Sequence, residues 1–248
     1  MEKDKLKALA LKILNFTTAI FKTFFVKLSK IDVDKNNFRQ RVISSIILLP
    51  FAVYAIFFSK NLFIFIAVAA SIIMTIEWLD MVKKTNDEKI WRIIGFFYIS
   101  IPIYCVIRLR LLDSDILFWM FAIIWVTDIF AYFAGKMIGG KKLAPSISPG
   151  KTWAGLYGGI IASAIIGFIS SFMFTGSALF FILVSIFLSL IEQSSDLLES
   201  KFKRIFGVKD SGNIIPGHGG LLDRLDGMML TAPALLFVIK AFPDQFGF

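Results

Sequence analysis

Seven stretches of the 248-residue chain stay apolar for most of a membrane's thickness: 42–58, 62–76, 93–107, 116–133, 153–174, 178–191 and 228–242. A helix that crosses the hydrocarbon core needs ~17–25 such residues. The pattern predicts an all-α, polytopic integral membrane protein with about seven to nine transmembrane helices around a polar cavity. Residues 1–41 stand apart, Lys-rich and mixed with Leu and Phe. They read either as a basic, loosely amphipathic arm on the membrane surface or as a solvated tail. No internal repeat or low-complexity segment is evident.

Composition agrees with the pattern. Hydrophobic residues make up 57% of the chain, against ~45–50% in soluble domains. One cysteine, Cys105, rules out an intrachain disulfide and a cysteine-based metal site, and one histidine, His218, rules out a histidine-cluster zinc site. The net charge of +9 fits lipid head groups, nucleotide phosphates and topology signals better than nucleic acid. No cleavable leader is expected, because Lys12, Lys22 and Lys27 interrupt the first apolar stretch.

The distribution of Lys and Arg predicts the orientation. With the N-terminus in the cytoplasm, only Lys60, Arg108, Arg110 and Lys240 fall outside. The same orientation brings Asp128, Glu192, Asp196, Glu199, Asp223, Asp226 and the loop 139–152 to the cytoplasmic face. The predicted cavity therefore faces the cytoplasm, the side where nucleotides are found.

The candidate chemistry lies in four places. Asp128 sits inside an apolar stretch, where an ionisable group is by default functional; Tyr132 and Gly135 share its helical face. Between 139 and 152, Gly, Pro, Ser146, Ser148, Thr152, Lys141, Lys142 and Lys151 form a basic loop suited to phosphate. Its Pro-Gly-Lys-Thr is not a P-loop, because Pro145 stands where that motif needs Gly and no hydrophobic strand precedes it. On a helix, Asp196, Glu199, Ser200 and Lys203 would share one face. That face could hold a metal and a phosphate, or be a salt-bridged helix end. Finally, KDSGNIIPGHGGLLDRLDG at 209–227 gathers Lys209, Asp210, His218, Asp223, Arg224 and Asp226 on a Gly-rich backbone that can approach an anion. His218 is either an acid–base group or a loop anchor. Asp223 and Asp226, one helical turn apart, suit Mg²⁺ or a helix N-terminus.

The run SKFKRIFGVKDSGNIIPGHGGLLDRLD at 200–226 resembles the signature of the phosphatidate cytidylyltransferases, also called CDP-diacylglycerol synthases. TDIFAYFAGK with KLAPSISPGKTWAG resembles the family's central block, and QSSDLLESKFKR its third. Glu77-Trp78 falls in a region similar to the family's N-terminal spans. The resemblance covers about 38–243 and departs from the family's usual residues at Ile129, Phe130, Gly150, Ala154 and Ser195. It implies an enzyme, a nucleotidyltransferase of phospholipid biosynthesis, that joins CTP and phosphatidate into CDP-diacylglycerol and pyrophosphate. A CTP-dependent lipid kinase and a polytopic transporter remain the alternatives.

The resemblance also implies roles. Mg²⁺ is the expected cofactor, with room for a second, monovalent cation, and Asp196, Asp210, Asp223 and Asp226 are the expected ligands. Lys209, Asp210, His218, Asp223, Arg224 and Asp226 form the expected catalytic group. Asp128, Ser148, Lys151, Thr152, Ser200, Lys203 and Arg204 are expected to bind substrate. CTP, phosphatidate and membrane lipids are the expected partners, a homodimer is a possible assembly, and nucleic acid is not expected. The domain arrangement is a basic arm at 1–37, N-terminal transmembrane helices at 38–115, and a catalytic transmembrane region at 116–248 with cytoplasmic loops 135–152 and 192–227. The expected location is a bacterial-type inner membrane, crossed several times, with the active site facing the cytoplasm.

Overall fold

A computed structural model describes residues 53–83, 85–212 and 219–248. The arm at 1–37, most of the predicted span 42–58, and His218 lie outside the described residues. After a helical stretch at 53–58 come six long helices. Their starts are set by short polar residues, which satisfy N–H groups that a helix cannot bond within itself. α1 (Lys60–Val82) begins at Ser59, whose hydroxyl accepts from the Leu62 N–H at 3.3 Å. α2 (Glu88–Leu112) carries Pro102 inside an apolar run. α3 (Ser114–Met137) is capped by the Asp113 carboxylate, which accepts from Asp115 N at 2.6 Å and Ile116 N at 3.3 Å. Thr152 caps α4 (Trp153–Ser170), and Ser177 caps α5 (Ala178–Ile205). α6 (Leu222–Ala241) starts with no side-chain cap from its own leading residue.

Among the described residues five helices, α1 to α5, are long and apolar enough to cross a membrane. α6 is 20 residues long but carries Asp223, Arg224, Asp226 and Lys240, so it falls outside that set. The protein is thus a predominantly helical membrane protein. Apolar side chains such as Phe65, Ile72, Phe97, Ile161 and Phe237 point outward, as lipid-facing positions should.

Two predicted boundaries are corrected. The stretch 178–191 ends where Glu192 appears, yet α5 runs on as one helix of 28 residues to Ile205. Glu192, Asp196 and Glu199 therefore belong to that helix and do not follow it. At the other end, α6 starts six residues before the predicted 228, which puts Asp223 and Asp226 inside its first turns. The region 139–152 is also more than a loop. Gly139 and Gly140, at φ 69° and 90°, turn the chain out of α3 into an antiparallel hairpin. Its strands are β1 (Lys142–Ala144) and β2 (Ser148–Thr152), paired Lys142 to Thr152 and Ala144 to Ser148 with an irregularity between.

α3 packs on α4, α4 on α5, and α5 on α6; α1 packs on α2, and α2 on α6. The approach of α4 to α3 uses Gly155-x-x-x-Gly159, the small-residue spacing that lets membrane helices touch backbone to backbone. A Cβ at Gly155 would lie 2.7 Å from the Ala131 carbonyl oxygen, and one at Gly159 would lie 2.9 Å from a Thr127 methyl. Trp78 of α1 packs edge-on against Phe202 in α5's last turn and Phe206 just past its end, and donates to the Trp91 carbonyl at 2.8 Å. That aromatic cluster fixes the polar half of α5 against α1 and α2.

Candidate active site

The polar half of α5 brings Glu192, Asp196, Glu199, Ser200 and Lys203 onto neighbouring turns. The spacing expected from the sequence holds: Ser200 donates to Asp196 at 3.3 Å, and Lys203 pairs with Glu199 at 2.9 Å. Lys203 also pairs with Asp223 of α6 at 2.7 Å. Its ammonium is therefore committed to two carboxylates between helices. Asp223 in turn accepts from Ser211 N at 2.9 Å and Gly220 N at 3.0 Å. The Asp223 carboxylate is thus matched by one ammonium and two backbone N–H groups. Asp223 braces the loop, with its acceptors largely used.

A cavity of about 510 Å³ opens between α3, the hairpin, α4 and α5. Asp128, Tyr132, Lys136, Lys142, Lys151 and Asp196 are among its lining residues, and Gly135 and Thr152 lie beside them. Asp128, Tyr132 and Gly135 thus share one face, as their spacing requires. Lys151 crosses from β2 to α5, pairing with Asp196 at 2.5 Å and donating to the Gln193 carbonyl at 3.4 Å. Thr152 lies buried, its hydroxyl accepting from Gly155 N at 3.1 Å. Ser148 sits at the start of β2, outside that lining. Arg204 turns toward the hairpin tip, donating to the carbonyls of Ile147 at 3.2 Å and Val208 at 3.3 Å. Lys209, Asp210 and Arg224 are exposed.

Three residues that the motif reading did not assign stand out. Glu192 is 1% exposed, and its carboxyl meets no partner among the described residues other than the Asp128 carboxyl beside it. The buried Tyr98 hydroxyl has no hydrogen-bond partner among the described residues and lies in the field of Glu199 and Asp226. Glu77 reaches from α1 to the segment around 211–222. Glu192 and Glu77 were visible in the sequence as carboxylates beside apolar runs, but what each of the three touches is set by helices distant in the chain.

Does this set fit Mg²⁺? Among the described residues no three Asp, Glu, His or Cys side chains converge as a ready-made metal cage. Mg²⁺ does not need one: it keeps water and takes one or two carboxylates together with substrate phosphates. Asp226 lies close enough to Asp196 and Asp128 to feel the charge of both. Acidic oxygens crowded around Asp226 suit a hard cation completed by phosphate.

The family departures leave the cavity open. Ile129 and Phe130 are exposed on the outer face of α3. A Cβ at Gly150 would meet nothing within 4 Å. The Ser195 hydroxyl donates to the Asp226 carbonyl and accepts from Leu230 N at 3.2 Å, tying α5 to α6.

Residues 90–242 match the family described as the cytidylyltransferase family. The chain is 42% identical over 217 residues to a phosphatidate cytidylyltransferase of Rickettsia bellii, covering 84% of this chain and 93% of that one. It is 43% identical over 210 residues to one of Rickettsia typhi, covering 81% and 91%. Against one of Brucella abortus it is 37% identical over 184 residues, covering 71% and 64%. With cavity, aspartates and lysines in place, the chain belongs to the phosphatidate cytidylyltransferase family.

Proposed function

We propose that this enzyme transfers the cytidylyl group of CTP to phosphatidate in the membrane, releasing pyrophosphate. A phosphate oxygen of phosphatidate attacks the α-phosphorus of CTP, forming a new P–O bond. The bond to the β-phosphate breaks, and pyrophosphate leaves with its electron pair. An anionic nucleophile needs no strong general base. The barrier lies in bringing anions together and in the charge that develops on the leaving group, which fixed cations relieve.

The observation that carries this reading is the cavity, where Lys136, Lys142 and Lys151 face Asp128 and Asp196. The lysines hold the triphosphate. Lys151 exchanges its Asp196 partner for a phosphate oxygen. Asp196 and Asp226, with Asp210 at the neck of the Gly-rich loop, would hold Mg²⁺, which supplies Lewis-acid neutralisation of phosphate charge when bound. Lys203 and Asp223 keep α5 and α6 in register beneath them. α6 and the stretch 42–58 bring the spans to seven or more, and the cavity faces the cytoplasm of a bacterial inner membrane.

The test uses detergent-purified protein, labelled CTP, phosphatidate and Mg²⁺, with and without chelator. Equal amounts of CDP-lipid and pyrophosphate, lost on chelation, are expected. Release of CDP with a phosphorylated lipid would make it a lipid kinase instead.

A further inference from the structure

Glu77 lies in α1 and is 3% exposed. A carboxylate buried in an apolar helix persists only when its oxygens are satisfied. Those of Glu77 are satisfied by residues that follow it by more than 130 positions. Oε1 accepts from Leu221 N at 2.8 Å; Oε2 accepts from Leu222 N at 2.9 Å and from the Ser211 hydroxyl at 3.3 Å. Leu221 and Leu222 begin α6, whose leading residue offers no side-chain cap. Glu77 is thus a helix cap supplied by another helix, an anion placed at the positive end of α6.

The approach is close enough to dictate neighbours. A Cβ on either Gly212 or Gly220 would come within 2.9 Å of Glu77 Oε1. Asp223 holds the same two flanks from the other side, through Ser211 N and Gly220 N. Residues 211–212 and 219–222 are therefore held together as a neck between two carboxylates, with Asp210 on one flank and Asp226 one turn into the helix that forms the other.

We propose that Glu77 is a positioning residue for cytidylyl transfer, setting the placement of Asp210 relative to Asp226 by fixing the start of α6 against Ser211. This rests on the function proposed above. Misplacing reacting groups by about an ångström can cost roughly 10²-fold in rate. A brace that served stability alone would leave the demand for the cation unchanged.

The test compares wild type with Glu77→Gln and Glu77→Asp in one detergent. It follows kcat, KM for CTP, the Mg²⁺ concentration at half-maximal rate, the melting midpoint, and hydrogen exchange at the amides of 211 and 220–222. Glu77→Gln keeps the size but replaces one acceptor oxygen with a donor. It is expected to stay folded, exchange faster at 221–222, lose roughly 10- to 100-fold in kcat and require several-fold more Mg²⁺, with KM for CTP within about threefold. If Glu77→Gln does not fold, Glu77→Asp keeps the charge at shorter reach and should shift the Mg²⁺ requirement the same way. Unchanged exchange at 221–222, or activity that falls only with the folded fraction at an unchanged Mg²⁺ midpoint, would overturn the proposal. Should wild type make no CDP-lipid, the exchange comparison still decides whether Glu77 fixes the neck, while the function reading fails separately.

Discussion

Lys151 carries two jobs at one atom: it holds the hairpin to α5 through Asp196 and sits in the cavity among the other lysines. Lys151→Ala should lower kcat/KM for CTP by roughly 10²–10³-fold while the protein remains folded, as steady-state kinetics beside a melting curve would reveal. Glu192 makes the opposite case. Its buried carboxyl faces that of Asp128, with which it shares a hydrogen bond. Glu192→Gln keeps nearly the same size and a hydrogen-bond donor toward Asp128, so it should move the melting midpoint by no more than roughly 2 °C. Turnover should stay within about fivefold of wild type. Asp128, Lys151 and Asp196, all singled out from the sequence, line one cavity, and Asp128 was the easiest to see because an ionisable residue in an apolar run announces itself. Roles were less legible. Lys203 and Arg204 look like phosphate ligands in the motif, yet in three dimensions one bridges carboxylates and the other fastens a turn.

At the scale of elements, hydropathy found the five apolar helices but misjudged where α5 ends. Glu192 looked like an exit from the membrane, although the helix continues past it with Lys151 meeting Asp196 and Lys203 meeting Glu199 and Asp223. The hairpin was not legible. Its sequence, KLAPSISPGKT, has two prolines and no alternating apolar face, and its pairing is irregular between Lys142 and Ala144. Its strands lie against α3 and α4, and two polar contacts tie it to α5, through Lys151 at the base and Arg204 at the tip. Arg204→Ala should therefore loosen the hairpin and raise KM for CTP by roughly 3- to 10-fold with kcat nearly unchanged, whereas a direct phosphate ligand would lower both kcat and kcat/KM.

For the whole molecule, orientation can be read from one exposed lysine. Lys142 lies on β1 and lines the cavity. A Lys142→Cys chain in which Cys105 is replaced by Ala should resist a membrane-impermeant maleimide in intact spheroplasts and react once the membrane is opened. Labelling in intact cells would put the cavity on the other side. The family match begins at residue 90, and the catalytic region was expected from 116. Yet the carboxylate that closes the neck is Glu77, and the indole packed against the end of α5 is Trp78. With Glu77 positioning the neck as proposed, the half that carries the signature is not a portable module. A chain shortened to 90–242, or a chimera that takes its first helices from an unrelated protein, would keep every aspartate of the signature and still lack the grip that sets them in place.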